Sequence, residues 1–132
     1  MPQKAGTPGM NKINYYYFDG YGRAEPGRIM LWKAKAPIED CRIGFDVWPK
    51  IKEEAPFRGS SLPVVVMPDG KVMTQSKPIW RYFATRAGFY PTDPEQVLIH
   101  DWVIDMYYDI FNTLSEPALA IFGGKTEADV TE

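Results

Sequence analysis

Residues 61–76 read SLPVVVMPDGKVMTQS, and this stretch predicts two short strands joined by a tight turn. β-Branched residues crowd its first half, a Pro-Asp-Gly triplet of the kind that forms turns follows, and further β-formers come next. We therefore expect an antiparallel hairpin with strands over Val64–Met67 and Lys71–Thr74. The hairpin leads directly into a helix, because Ser76 is a good N-cap and Pro78 fits the first turn.

Two strand-helix units precede this hairpin. The sequence KINYYYF over residues 12–18 predicts a strand whose alternate side chains face opposite sides, and Ala24-Glu25-Pro26 predicts a helix that ends at Pro37. A second strand is expected over Cys41–Phe45, followed by a short helix over Asp46–Glu54 with Asp46 as its cap. Short units of this kind favour a parallel strand pair with a right-handed crossover.

Helical spacing predicts which side chains face inward. In the first helix they are Ile29, Trp32, Lys33 and Ala36. In the helix after the hairpin they are Ile79, Tyr82, Phe83 and the stem of Arg86. A longer helix is expected from Asp93-Pro94 until Ser115-Glu116-Pro117 stops it, with an apolar stripe too wide to stand alone. That stripe consists of Leu98, Trp102, Val103, Met106, Tyr107, Ile110 and Leu114.

Composition bounds the class of protein. The chain has 132 residues, of which 45% are hydrophobic and 24% charged, so we expect one compact domain or slightly more. A net charge of -2 disfavours binding to nucleic acid, and no apolar run is long enough for insertion into a membrane. The single cysteine, Cys41, cannot form an internal disulfide, and no cluster suits a metal. Cytoplasm is therefore the expected compartment.

Four strings, taken in order, suggest a family. They are YFDGYGRAEP at 17–26, WPKIK at 48–52, SLPV at 61–64 and DGKVMTQS at 69–76. With the order βαβαββα and a proline before the third strand, the chain resembles the cytosolic glutathione S-transferases, sigma-like members in particular. The resemblance covers about residues 12–115 and implies an α/β, thioredoxin-like βαβαββα domain. The first helix of a truncated all-α second domain would follow it.

The resemblance also implies a domain organisation. We expect a flexible tail over residues 1–11, without the apolar core of a secretory signal, and a thioredoxin-like glutathione-binding domain over residues 12–88. A linker over residues 89–93 and a truncated helical domain over residues 94–132 complete the prediction.

The family's catalytic group is a tyrosine at the end of the first strand, which donates a hydrogen bond to the glutathione sulfur and favours the thiolate. By residue type, Tyr15, Tyr16 and Tyr17 all qualify. Spacing to the GRAE string selects Tyr17, and strand alternation places Tyr16 on the opposite face. Arg23 would orient the Tyr17 hydroxyl or polarise the thiol. The structural alternatives are three packed tyrosines and an Arg23–Glu25 salt bridge.

Glutathione itself would contact the hairpin region. By resemblance, Gln75 and Ser76 bind the γ-glutamyl carboxylate, which also suits the free N–H groups of a helix N-terminus. Ser61, Leu62 and Pro63 form the segment with a cis proline, where the Leu62 backbone would pair with the cysteinyl residue as a short added strand. An ordinary helix start and an ordinary X-Pro strand entry are the alternatives.

Three further residues complete the predicted site. Trp48 and Lys52 are four residues apart on one short helix and would bind the glycyl end, although a core tryptophan and a solvent-facing lysine are the common alternatives. Asp109 resembles the acidic residue that reaches across a dimer to the amino group of the ligand, with Asp105 one turn before it. A solvated acidic face is the alternative for this pair.

The resulting hypothesis is a glutathione transferase with glutathione as co-substrate, no metal and a small hydrophobic electrophile as second substrate. The same thiolate would serve isomerase or peroxidase chemistry, and a detoxification role follows from conjugation. The apolar helix predicts a partner, either a homodimer or a larger assembly. The second hypothesis is a catalytically weak or inactive structural or interaction subunit, as the lens crystallins that resemble transferases illustrate.

Overall fold

The computed structural model describes residues 12–122, with side chains described up to Ser115 and at Pro117. The predicted tail over residues 1–11 and the last part of the predicted helical domain lie outside the described residues. The elements are β1 (Ile13–Phe18), a 3-10 turn (Gly22–Ala24), α1 (Glu25–Ala34), β2 (Ile38–Ile43), α2 (Trp48–Ile51), β3 (Val64–Val66), β4 (Val72–Thr74), α3 (Ser76–Arg86) and α4 (Pro94–Phe122). They form two compact units, divided between Tyr90 and Pro91.

The first unit contains a four-stranded mixed sheet in the order β2-β1-β3-β4. β1 and β2 run parallel, as two strands joined by a crossover helix must, whereas β3 is antiparallel to both β1 and β4. The βαβαββα thioredoxin-like arrangement predicted from the sequence is confirmed. The hairpin turn is closed by the Gly70 amide, which donates to the Met67 carbonyl at 2.9 Å.

The two faces of the sheet bury separate apolar clusters, as the alternation in β1 predicts. One cluster contains Ile13 and Tyr15 together with residues of α1 and α3, including Leu31 and Phe83. The other contains Tyr16 with Cys41, Ile43, Phe57, Leu62 and Val64. Phe83 packs edge-on against Tyr15, with ring centroids 5.1 Å apart. β1 is therefore buried on both faces until its last residues.

The predicted inward face of α1 is wrong except at Ala36, which follows the helix and packs against the core cluster. Ile29 is 58% exposed and Trp32 is 80% exposed, while Gly27 and Leu31 are buried. The 3-10 turn before the helix sets its rotation, because buried Ala24 must face the sheet and residues three and seven positions later then share that side. α1 also ends earlier than expected, since Lys35 adopts a left-handed conformation.

Several boundaries differ from the predictions. β2 begins at Ile38 and ends at Ile43, and α2 is a single turn whose N-cap is Val47, without a side-chain cap from Asp46. The strands of the hairpin contain three residues each, shorter than predicted. In α3 the predicted face omitted Trp80, which is 4% exposed, whereas Arg86 lies outside and contacts the Tyr82 ring.

α4 does not stop before Pro117 as predicted, but continues to Phe122. A proline removes one backbone hydrogen bond and bends a helix, but residues on both sides of it can keep helical angles. The predicted apolar stripe is exposed within its own unit, from Leu98 to Leu114. No helix among residues 12–122 is both long and apolar enough to span a membrane.

Replacing Gly27 by alanine should destabilise the first unit. An added Cβ would lie 2.8 Å from the Tyr15 hydroxyl oxygen and 3.0 Å from Cε1 of the same ring. A helix normally gains about 1 kcal/mol from this exchange, but atoms forced into a packed core cost about 1–3 kcal/mol. We expect a net loss of up to about 2 kcal/mol in the free energy of unfolding, measured by urea denaturation.

The matched test combines Gly27→Ala with Tyr15→Leu, which shortens the side chain that the new methyl group meets. The double variant should be more stable than the sum of the two single effects predicts, by about 1 kcal/mol or more. Strict additivity would contradict close packing between the α1 glycine and the β1 phenol.

Candidate functional site

The predicted site residues of the first unit gather at one end of the sheet. In the pairing of β3 with β1 and with β4, the last paired residues at this end are Tyr16, Val64 and Thr74. One residue further toward this end lie Tyr17 after β1, Pro63 before β3 and Gln75 after β4. The strand register thus brings together three positions that are up to 58 residues apart in the sequence.

Tyr17 presents a half-buried phenol whose oxygen accepts a hydrogen bond from the backbone N–H of Arg23 at 3.1 Å. Its ring lies edge-on to Phe18, with ring centroids 5.5 Å apart. Because the oxygen is the acceptor in the bond to Arg23, the phenol hydrogen is not used there. The hydroxyl can donate that hydrogen to another acceptor, which is what an activated sulfur requires.

The 3-10 turn that supplies this amide is held by two buried aromatic side chains. The Tyr15 hydroxyl donates to the Ala24 carbonyl at 3.3 Å, and Trp80 Nε1 donates to the Arg23 carbonyl at 2.9 Å. Neither contact is predicted by the sequence patterns, in which Tyr15 is only a rival to Tyr17. The one available signal was the polar atom that each buried Tyr or Trp side chain must satisfy.

The three consecutive tyrosines of β1 differ in their exposure to solvent. Tyr15 is 1% exposed and Tyr16 is 4% exposed, whereas Tyr17 is half-buried. Burial raises the pKa of Tyr15 above its ordinary value, and burial with the neighbouring Cys41 raises the pKa of Tyr16 to about 12. Burial, with Glu39 adding to it, raises the pKa of the Cys41 thiol to about 11. Of these four groups, Tyr17 alone has a side chain that is only half-buried.

Gln75 and Ser76 form the junction between β4 and α3. Gln75 is the N-cap residue, with a φ of 75° that is unusual for a residue other than glycine, and Ser76 is the first helical residue rather than the cap. Ser76 is 3% exposed, while the Gln75 side chain is exposed. A strained non-glycine backbone of this kind is characteristic of ligand-binding turns.

The Leu62–Pro63 peptide bond is cis, as the resemblance implied. The Leu62 side chain is buried in the cluster that contains Tyr16, and Pro63 is fully buried, so the segment presents its backbone rather than its side chains. Ser61 is exposed immediately before it.

α2 places Trp48 and Lys52 beside this end of the sheet. The Trp48 ring packs edge-on against Phe18 and Phe57, with centroids 6.2 Å and 5.6 Å away. The Lys52 amide donates to the Trp48 carbonyl at 3.0 Å, and the Lys52 ammonium, half exposed, lies 3.9 Å from the Glu53 carboxylate. The Lys52 ammonium therefore lies outside the core and can move toward an anion.

Asp109 lies on α4, in the second compact unit, and its side chain is exposed. Its carbonyl accepts a hydrogen bond from the Thr113 hydroxyl at 2.9 Å. Asp105, one turn earlier, is exposed as well. Among residues 12–122, no group of three or more His, Cys, Asp or Glu side chains is arranged to hold a metal ion.

Comparison with known proteins gives the same family as the motifs. S-crystallin SL18 of Nototodarus sloanii is 37% identical over 103 residues, which are 78% of this chain and 33% of that protein. Glutathione S-transferase 4 of Caenorhabditis elegans is 34% identical over 120 residues, which are 91% of this chain and 56% of that protein. No protein-family model matches the chain. The chain thus spans between a third and somewhat more than half of these relatives.

Solved structures that are similar to this chain come from the same group of proteins. A structure of prostaglandin synthase D of Nilaparvata lugens has a TM-score of 0.75 and 33% identity, covering 90% of this chain and 56% of that one. The sigma class glutathione S-transferase of Fasciola hepatica has a TM-score of 0.70 and 27% identity, covering 83% and 53%. The first unit is therefore a thioredoxin-like domain of the transferase type. Over most of its length the chain is similar to part of the glutathione S-transferases, sigma-class proteins among them, and to part of the S-crystallins.

Proposed function

We propose that this chain binds glutathione and that the Tyr17 hydroxyl donates a hydrogen bond to the glutathione sulfur. The observation that carries the proposal is the Arg23 amide bonded to the Tyr17 oxygen, which fixes the phenol at the end of β1 and leaves its hydrogen for the sulfur. A thiol is mostly protonated at neutral pH, and a donor that stabilises the thiolate makes it a nucleophile.

The remainder of glutathione would extend along the end of the sheet. Its γ-glutamyl carboxylate would lie at Gln75 and Ser76, where an 11-residue helix begins and its first amides lack partners within the helix. Its cysteinyl residue would pair with the Leu62 backbone next to buried Pro63. Its glycyl end would lie toward Trp48 and Lys52, and Asp109 of a partner chain would contact the amino group.

The thiolate would then attack a small hydrophobic electrophile, forming a thioether and releasing a leaving group or opening a strained ring. Isomerase and peroxidase chemistry need the same thiolate and are included in the proposal. The similarity to a prostaglandin synthase supports the isomerase possibility. We further propose a cytoplasmic protein, because its one thiol, that of Cys41, is free and buried. It would act as a homodimer or within a larger assembly.

The second candidate function is that of a structural subunit with weak or no catalysis. It is supported by the S-crystallin relative, which is more identical to this chain than the nematode transferase is, although over fewer residues. The two candidates differ in one property, because a structural subunit needs no glutathione pocket.

Calorimetric titration with glutathione and with S-methylglutathione tests the proposal. We expect both to bind, with dissociation constants of about 1 mM or lower, because the carboxylate and backbone contacts do not involve the sulfur. Gln75→Ala should weaken both by about 10-fold, the size expected for losing a contact to a charged group. Lys77→Ala, two residues further along α3, is the matched control.

A mass measurement of the assembly under the same conditions identifies the partner as a second copy or another protein. A folded chain that binds neither ligand would exclude the transferase function. The structural alternative would then stand.

A further inference from the structure

We propose that Arg28 is a positioning residue for the Tyr17 site. It lies on α1, one helical turn after Glu25, and its side chain is only 9% exposed. Its catalytic consequence rests on the function proposed above, whereas its structural part rests on contacts within the first unit. The sequence motif does not single out this arginine, because the motif includes Arg23 and Arg28 lies beyond its end.

The Arg28 guanidinium binds the backbone on both sides of Asp19, where the chain leaves β1. Nη2 donates to the Phe18 carbonyl at 3.2 Å, and Nη1 donates to the Gly20 carbonyl. Nε donates to Asp40 Oδ1 at 3.0 Å, so β2 holds the guanidinium in its orientation. A guanidinium is a rigid planar fork, and its several donors therefore set the spacing of the groups that they bind.

The same guanidinium contacts the proposed catalytic group. Its central carbon lies 5.9 Å from the centroid of the Tyr17 ring, within the range of a cation–π interaction. Arg28 thus contacts the Tyr17 ring and binds Gly20, in the segment that leads into the 3-10 turn, and the Arg23 amide of that turn donates to the Tyr17 oxygen. The Arg28 side chain therefore positions both the Tyr17 ring and the segment that leads to the Arg23 amide.

Arg42 provides a matched comparison in the same charge network. Its Nε binds Asp40 Oδ2 and its Nη1 binds Asp19 Oδ1, both at 2.9 Å, but its side chain is 43% exposed. Its described bonds go to carboxylates rather than to the carbonyls of the turn. Exposed ion pairs contribute little because water screens them. If any cation near Asp40 sufficed, substitution of either arginine would have the same effect.

The first test is amide hydrogen exchange without ligand, measured on Arg28→Gln, Arg28→Lys and Arg42→Gln. In Arg28→Gln the Arg23 amide should exchange about 10-fold faster or more than in the wild type, while core amides of β1 change far less. Lysine, which cannot bind both carbonyls and Asp40 together, should give an intermediate rate. Arg42→Gln should leave the rate unchanged.

The second test is the ionisation of bound glutathione, followed by the ultraviolet absorbance of its thiolate across a pH series. In Arg28→Gln the midpoint should rise by about one pH unit toward that of a free thiol. Affinity for S-methylglutathione, which has no ionisable sulfur, should change less than about 3-fold. A residue that only stabilises the fold would not separate these two readouts.

Three results would overturn the proposal. They are an unchanged Arg23 amide in folded Arg28→Gln, a uniform acceleration of exchange over the whole first unit, and an equal effect of Arg42→Gln. If wild-type protein fails to bind glutathione, the proposed function falls while the exchange data still decide the positioning role.

Should Arg28→Gln fail to fold, Asp40→Ala removes the partner of the Arg28 Nε, and with it one partner of Arg42, while both arginines remain. It should accelerate exchange of the Arg23 amide by about 3-fold beyond any effect of Arg42→Gln. No such difference would overturn the proposal.

Discussion

Tyr17→Phe should lower kcat/KM for glutathione conjugation about 100-fold and change the affinity for glutathione less than about 3-fold, because the lost hydroxyl acts on developing negative charge rather than on binding. The substitution keeps the ring that packs against Phe18 and lies beneath Arg28. It removes only the oxygen that accepts the Arg23 amide. Steady-state conjugation of an aromatic halide and calorimetric titration with glutathione measure the two quantities.

Tyr16→Phe is the matched control, since it removes the same atom from the adjacent residue. Tyr16 faces the opposite side of the sheet, is 4% exposed and packs edge-on against Phe57. Its loss should leave kcat/KM within about 2-fold of the wild-type value, with at most a modest loss of stability. If instead Tyr16→Phe lost activity and Tyr17→Phe did not, the catalytic assignment would be wrong.

Gly22→Ala should damage both stability and activity. Gly22 has a φ of 48°, a conformation that alanine adopts only with strain, and an added Cβ would lie 2.7 Å from the Tyr17 hydroxyl oxygen. Either the turn or the phenol must move, and each movement breaks the bond between the Arg23 amide and the Tyr17 oxygen. We expect a loss of about 1–3 kcal/mol in the free energy of unfolding and a fall in kcat/KM of about 100-fold.

Gly20→Ala is the control for this substitution, because no atom lies within 4 Å of its added Cβ and no positive φ is involved. It should change the free energy of unfolding by less than about 0.5 kcal/mol. Adding Gly22→Ala to Tyr17→Phe should lower activity little further, since both act on one hydroxyl. Full additivity of the two effects on kcat/KM would show that Gly22 acts elsewhere.

Much of the fold could be predicted from the sequence because it depends on local residue patterns. Alternation in 12–18 predicts a strand with two buried faces, and the turn residues at 68–70 predict the hairpin. The order of elements then leaves few topologies, and the thioredoxin-like one is observed. The motif strings also named Tyr17, Pro63 and Gln75, which the register places side by side.

The spacing of apolar residues gave wrong predictions where contacts between residues distant in the sequence determine which side chains are buried. Ile29 and Trp32 share an apolar spacing in α1, yet both are exposed, because the preceding turn and the small Gly27 rotate the helix so that it packs on Tyr15. The N-cap role predicted for Asp46 failed for a related reason, since the chain enters α2 through Val47 without a side-chain cap.

Local patterns were sufficient to predict the strands and the hairpin and to propose Tyr17 as the phenol of the site, since each depends on residues close together in the sequence. The contacts that support the Tyr17 phenol could be identified only in the folded structure. Trp80 meets the Arg23 carbonyl from 57 residues away, and Arg28 reaches back from α1 to the end of β1 while Asp40 of β2 orients it. Such contacts follow from how helices pack on a sheet, and no spacing along the chain encodes them.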